Sequence, residues 1–286
     1  MRFGLLLGGG GSVGIAWENG VLAGVMDTID FDPSSATIIV GTSAGSSVGA
    51  DMALGKDPHD CLAMDNDGSN PRRQLDPPDL TTGKFAEIIG LMLSPEPRTP
   101  EFVARIGQLA VDADTQLSET EFLAMFARTV GTDDWPDVDF RATATDCETG
   151  EPVFWGSSHG VSLSQAVASS CAVPGYFPTV SIGGRRYMDG FRGKNYHAGI
   201  VEPLDLDAAI FIGPKVQVEG VAKATQDDMD AVAELGVAVH TMLGSERLDS
   251  AGLNLMDFSA RSTAYEIGLA DGAAHAEAIG ELLGLS

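Results

Sequence analysis

An apolar, β-branched run, Thr37-Ile38-Ile39-Val40, breaks at Gly41-Thr42-Ser43-Ala44-Gly45 and resumes as a stretch of small residues, Ser46 to Leu54, that can be helical. Read as strand, tight turn and helix, this segment places a serine at the apex. Such a turn forces the serine into a strained backbone conformation, and glycines two positions to either side let strand and helix pass close to it. The serine Oγ is then exposed beside N–H groups at a helix N-terminus, which is the context of a G-x-S-x-G nucleophile elbow. The alternative is a plain βα turn. A similar unit precedes it: Leu5-Leu6-Leu7 reads as a short buried strand, Gly8 to Gly11 as a glycine turn, and Ile15 to Ile29 as a helix. Two βα units in succession predict an α/β chain with a parallel sheet.

Composition narrows the function classes. The chain has 286 residues, 44% of them hydrophobic, with 35 glycines, which suits a large α/β domain. No apolar run approaches the roughly 18 residues of a membrane-spanning helix, and the apolar stretch at the N-terminus is too short for a signal peptide. Cys61, Cys147 and Cys171 are scattered and odd in number, so reduced thiols in a cytoplasmic protein are expected, with no zinc spacing. The 41 acidic and 17 basic residues leave a net charge of −24. That argues against nucleic acid as a partner, and against docking on anionic lipid by charge alone.

Further along, residues 56–80 are rich in Asp, Pro, Asn and Gly and read as loop. Lys84 to Leu93, Pro100 to Val111 and Ser118 to Val130 have helical periodicity, the last opened by the capping-box pattern Ser118-x-x-Glu121. The 56–130 region is either a cap-like insertion over the elbow or a packing layer. A hairpin is expected from Asp139–Thr145 and Val153–Trp155, and Ser162 is expected to cap a short helix ending at Ser170. A second hairpin, Thr179–Ile182 with Arg185–Met188, turns at Gly183-Gly184 and exits at Asp189-Gly190. Ala208 to Ile212 reads as another buried strand. From Thr225 onward the pattern is helical, broken between Gly244 and Asn254 and ending in a helix from about Ser262 to Leu283.

The first glycine run contains a formal G-x-G-x-x-G match at Gly9, Gly11 and Gly14. A dinucleotide site would need an acidic residue at the end of the second strand to hold the ribose, and there the chain runs into Gly41-Thr42-Ser43 instead. The same loop suits an oxyanion hole, whose N–H donors are each worth about 3 kcal/mol in acyl transfer. A serine nucleophile also needs a base. His240 and His275 come late enough for an α/β-hydrolase triad, but each lies in a helical pattern. Asp189 is better placed, since it follows a strand and precedes Gly190, so its carboxylate projects from a strand end. A simple turn aspartate is the alternative.

Taken together, Leu7-Gly8-Gly9-Gly10-Gly11-Ser12-Val13-Gly14, Gly41-Thr42-Ser43-Ala44-Gly45-Ser46, the segment Ala168 to Pro178 and Met188-Asp189-Gly190 occur in the order seen in patatin-like phospholipases. Ala144-Thr145-Asp146 with Thr149-Gly150 also resembles that family, and the likeness runs to about residue 200. The resemblance implies a three-layer α/β/α fold with a mostly parallel central sheet in one domain over 1–286, with C-terminal helices over about 225–286. It implies a catalytic Ser43–Asp189 dyad without histidine, oxyanion donors from Gly9, Gly10 and Gly11, elbow glycines Gly41 and Gly45, and neither metal nor cofactor. The substrates it implies are phospholipids, lysophospholipids or other acyl esters, reached by transient membrane contact. Two positions depart from the family pattern. Val13 stands where Arg or Lys is usual, and Phe191 follows Asp189-Gly190 where a small residue is usual, a change expected to narrow the site or re-aim the turn.

Overall fold

The computed structural model describes residues 1–75, 83–92, 94, 96–191, 194–202, 204–215, 219–252 and 254–285. The chain opens with β1 (Phe3–Leu7), α1 (Gly11–Met26), β2 (Ile38–Thr42) and α2 (Ala44–Ala53). Then come a single helical turn α3 (Ala63–Asn66) and the helices α4 (Gly83–Met92), α5 (Pro100–Val111) and α6 (Glu119–Val130). The middle third holds β3 (Asp139–Asp146), β4 (Pro152–Trp155), α7 (Leu163–Ser170), β5 (Val180–Ile182) and β6 (Arg185–Asp189). The remainder is β7 (Ala208–Gly213), α8 (Glu219–Glu234), β8 (Ala238–Leu243), α9 (Glu246–Ser250) and α10 (Arg261–Leu283).

Five parallel strands form the body of one eight-stranded sheet, in the order β3–β2–β1–β7–β8. β1 is buried along its whole length because both of its faces are covered. Leu5 and Leu7 pack with Val13, Trp17, Val21 and Val48 on one face, while Leu6 packs with Tyr196, Phe211, Met229 and Val232 on the other. Helices α1, α2, α7 and α10 thus lie on one side of the sheet and α8 on the other, which makes the three layers.

The register at β3 determines where the loops meet. Ala142 of β3 pairs with Gly41 on one side and with Trp155 on the other. Two residues on, Ala144 pairs with Asp189 and with Val153. β2 and the antiparallel β6 therefore occupy the same edge of β3, end to end, with β4 on the opposite edge. The last pair of β2 is Thr42 with Thr143, so Ser43 and Asp189 both arrive where the two strands abut.

α1 and α10 cross in backbone contact. A Cβ built on Gly20 would stand 2.3 Å from the Tyr265 carbonyl oxygen, and one on Gly272 would stand 2.0 Å from that of Val21. Gly24 and Gly268 are as tightly enclosed. This small-residue seam presses α10 onto the helix that carries the glycine loop.

Most expected elements are present. The capping box at Ser118 and Glu121 is complete, and Ser162 accepts from the Gln165 N–H. Residues 56–75 contain short 3₁₀ turns and α3 rather than plain loop; residues 76–80 and Leu93 lie outside those described. The region beyond Thr225 is not wholly helical as expected. Gly236, at φ 83°, ends α8, and Ala238–Leu243 joins the parallel sheet as its edge strand. A six-residue edge strand, Ala-Val-His-Thr-Met-Leu, directly after an amphipathic helix carries no clear period-two signal, so the helical periodicity ran on through it. α4 to α6 do not pack as one unit. α6 packs Phe122, Met125 and Phe126 into the main core, whereas Ile88, Phe102 and Ile106 of α4 and α5 form a small cluster with Met188. Ile88 is fully buried and Phe85 packs on Tyr176, so these residues are not a free apolar face. Among the described residues no helix is long and apolar enough to cross a membrane.

Gly272→Ala tests the helix seam. Alanine is the better helix former by about 1 kcal/mol, yet the clash should lower stability by about 1–3 kcal/mol in urea denaturation. Gly280→Ala, whose added Cβ would find nothing nearer than 3.5 Å, should be neutral or stabilising.

Candidate active site

Ser43 has φ 54° and ψ −115°, and it is one of two non-glycine residues with positive φ among those described. Such a conformation costs about 1–3 kcal/mol and persists only where its surroundings over-determine it. Here they do. The Ser43 N–H donates to Ser170 Oγ at 3.0 Å, and its carbonyl accepts from Ser46 Oγ at 2.7 Å, the Ser46 N–H at 2.9 Å and Cys171 Sγ at 3.1 Å. Ser170 and Cys171 belong to the Ala168–Pro178 motif, so that segment acts as the elbow's brace. The elbow glycines are required by close approach: a Cβ on Gly41 would stand 2.3 Å from the Gly45 carbonyl oxygen, and one on Gly45 equally close to that of Leu7. Burial pushes the Cys171 thiol up to about 11, so it stays a neutral donor.

Asp189 ends β6 and is 3% exposed. Its Oδ1 accepts from the Phe191 N–H at 2.9 Å, while Oδ2 is enclosed without a hydrogen-bond partner. Burial raises its pKa from the usual 3.8 to about 7, against the opposing pull of the Phe191 N–H and the Ser43 hydroxyl. The hydroxyl is near enough to favour the ionised form, but it does not complete a full hydrogen bond to Oδ2. Asp189 is therefore more than a turn aspartate in a surface Asp-Gly pair. Gly190 is packed against β3, where a Cβ would collide with the Thr143 hydroxyl.

The glycine loop follows β1 and lies against the elbow. The Gly45 N–H donates to the Gly8 carbonyl at 2.8 Å, and a Cβ on Gly9 would stand 3.3 Å from Ser43 Cβ. Gly9 departs from the sequence expectation in one respect: its N–H is already engaged, donating to Asn195 Oδ1 at 2.6 Å. The Gly10 and Gly11 N–H groups have no acceptor among the described residues. Asn195 was not singled out by sequence; the only available signal was its place six residues after Asp189. Beneath the loop, Glu18 is wholly buried with neither carboxylate oxygen hydrogen-bonded, and burial pushes its pKa well up.

Ser43 opens into a cavity of about 40 Å³ walled by Arg72, Leu75, Phe126, Tyr176, Phe177, Met256 and Phe258, with Gly11 and Ser12 at one end. That volume holds a few waters, so a larger ligand needs the wall side chains to move. The Leu255 carbonyl accepts from the Val13 N–H at 3.0 Å and caps part of the helix end. Val13 is fully enclosed in the core and does not face the cavity. Phe191 lines a separate small hollow with Met92, Pro174 and Met188, so it does not narrow the Ser43 cavity as expected.

The two late histidines are elsewhere. His240 lies on β8, not in a helix as expected, and its Nε2 is 3.0 Å from Nδ1 of His275 on α10. The dinucleotide reading loses its ribose anchor: β2 runs through Thr42 into the elbow, with no acid at its end.

A family model described as patatin-like phospholipase matches residues 5–201. No curated protein sequence matches the chain. Among solved structures, VipD from Legionella pneumophila aligns over 97% of this chain and 67% of its own, with 14% identity and a TM-score of 0.51. The type III effector protein ExoU aligns over 97% of this chain and 53% of its own, at 17% identity and a TM-score of 0.44. ExoU has also been solved as a heterodimer with SpcU from the type III secretion system of Pseudomonas aeruginosa, and there the TM-score is 0.41 at 17% identity, over 100% of this chain and 52% of that one. The chain thus spans about half of ExoU and two thirds of VipD, and the likeness to VipD is one of fold. With the family match extending from β1 past the Asp189 turn, the chain belongs to the patatin-like phospholipases.

Proposed function

We propose that the protein is a serine acyl hydrolase that cleaves ester bonds of phospholipids, lysophospholipids or other acyl lipids, with Ser43 as nucleophile and Asp189 as its base. The observation that carries this is the meeting of a serine held at positive φ with a buried carboxylate whose pKa lies near neutrality, at the junction of β2 and β6. General-base catalysis works best when the base titrates near the working pH.

In the first half-reaction Ser43 Oγ attacks the acyl carbonyl carbon and its proton passes to Asp189. The negative charge that develops on the carbonyl oxygen falls to the N–H groups of Gly10 and Gly11, helped by the positive end of α1. Asn195 holds Gly9, and with it the shape of the loop. Collapse of the tetrahedral intermediate breaks the ester C–O bond. The departing alcohol takes the proton back from Asp189 and leaves an acyl-Ser43. Water then attacks the acyl carbon, gives its proton to Asp189, and the fatty acid leaves as Ser43 Oγ recovers that proton. His240 and His275 have no part in these steps.

Ser43→Ala should reduce hydrolysis of medium-chain p-nitrophenyl esters by about a thousand-fold or more and abolish labelling by a fluorophosphonate. Unchanged turnover in that variant would end the assignment. His240→Ala and His275→Ala should each keep parental turnover.

The pH–rate profile should show an acid limb centred near 7, where Asp189 ionises, with the rate falling about tenfold per pH unit below it. A flat profile down to about pH 5 would exclude Asp189 as the base.

The same ionisation costs stability. Asp189 titrates at about 7 when folded against 3.8 in an unfolded chain. Between those values the unfolded chain ionises first, so stability falls as pH rises from about 4 to 7 and then levels. Asp189→Asn removes this cost, and it should stabilise the protein at about pH 8 by as much as about 4 kcal/mol, with the difference vanishing near pH 4 in denaturant titrations.

A further inference from the structure

We infer that Arg72 forms an anion-binding subsite in the Ser43 cavity and holds the phosphate headgroup of an acyl lipid whose ester bond lies at Ser43. The inference deepens the hydrolase reading above, which supplies the identity of the reacting bond; the anion site itself rests on the electrostatics of the cavity.

The chain carries a net charge of −24, yet among the described residues that wall this cavity there is no carboxylate and one cation, Arg72. Its guanidinium has no hydrogen-bond or ion-pair partner among the described residues. It lies over the Phe126 ring, 4.9 Å from the centroid, and its backbone N–H is fixed by Asn70 Oδ1 at 3.0 Å. The acids that attract it, Asp51 and Asp65, are already paired. Asp51 bonds Lys56 Nζ at 2.7 Å, and Asp65 bonds Arg261 Nε at 2.5 Å.

Loss of hydration is the largest influence on Arg72 and lowers its pKa. A cation drawn out of water without a counter-ion is costly, and an incoming anion relieves that cost. The position suits a headgroup. Arg72 lines the same cavity as Ser43, Ala44 and Cys171, so its charge stands in the wall of the space the elbow opens into. The N-terminal turn of α1 faces the same space through Gly11 and Ser12 and adds its positive dipole. A planar guanidinium fork matches two phosphate oxygens.

The test uses Ser43→Ala protein, which binds without turnover, in calorimetry with three probes: dodecanoyl lysophosphatidate, monododecanoylglycerol and inorganic phosphate. Adding Arg72→Gln should weaken lysophosphatidate binding by about 10- to 100-fold and change the affinity for monododecanoylglycerol by less than about threefold. Arg72→Lys, which keeps the charge but loses the fork, should bind lysophosphatidate with an affinity between those of the parent and Arg72→Gln, and melting by circular dichroism shows whether each variant is folded. Equal loss for both lipids, or no loss for either, would overturn the subsite. Inorganic phosphate binding as tightly as lysophosphatidate would overturn the lipid headgroup as its occupant. Arg72-dependent binding in a protein whose parent labels with no fluorophosphonate and hydrolyses no ester would leave the subsite standing and remove the hydrolase reading instead.

Discussion

Two strands share one edge of β3, and the candidate site depends on that arrangement. β2 occupies the first part of the edge and β6 the second, running the other way. Their abutting ends bring together residues 146 positions apart in the chain, Ser43 and Asp189. Hydrogen-bond register is a discrete quantity. A slip of one residue would turn every side chain of β6 to the opposite face and remove Asp189 from the elbow. The close packing of Gly190 on Thr143 and the paired hydroxyls of Thr42 and Thr143, 2.8 Å apart, lock that register where it matters.

Around this junction the protein holds strained backbone and isolated charge, both of which oppose stability. Ser43 is kept at positive φ by hydrogen bonds with α2 and with Ser170 and Cys171 at the end of α7. Asp189 is kept from water with one oxygen unpartnered, and Arg72 has no counter-ion among the described residues. Each is costly alone, and together they set a raised-pKa carboxylate behind the elbow and a cation in the wall of the small cavity that Ser43 opens into. The stable remainder of the molecule offsets the cost: a parallel sheet covered on both faces and a helix pair in backbone contact. The helix pair is notable because α10 lies beyond the family match, yet it presses on α1 and so on the glycine loop.

Much of this was legible in the sequence. The elbow announced itself through strand, glycine spacing and helix, because a sharp strand-to-helix turn admits few residue types. The glycine loop, both hairpins and the capping box at Ser118 were legible for the same reason: local geometry restricts local sequence. The edge strand β8 was not, since its residues suit helix or strand and only pairing with β7 chose between them. Asn195 and Arg72 were also missed. An asparagine in a loop and an arginine in a polar segment carry no local signature, and each gains meaning only from what lies opposite, the Gly9 N–H in one case and the Ser43 cavity in the other.

Sequence alone therefore determined the fold class, the candidate nucleophile and the candidate base, because backbone constraints and ordered motifs act over a few residues. Tertiary structure alone decided which loop amides stay free, that Val13 and Phe191 point away from the Ser43 cavity, and that Asp189 titrates near neutrality. Those properties are set by burial and by partners distant in the chain. Desolvation and hydrogen-bond competition depend on three-dimensional surroundings that no spacing rule encodes.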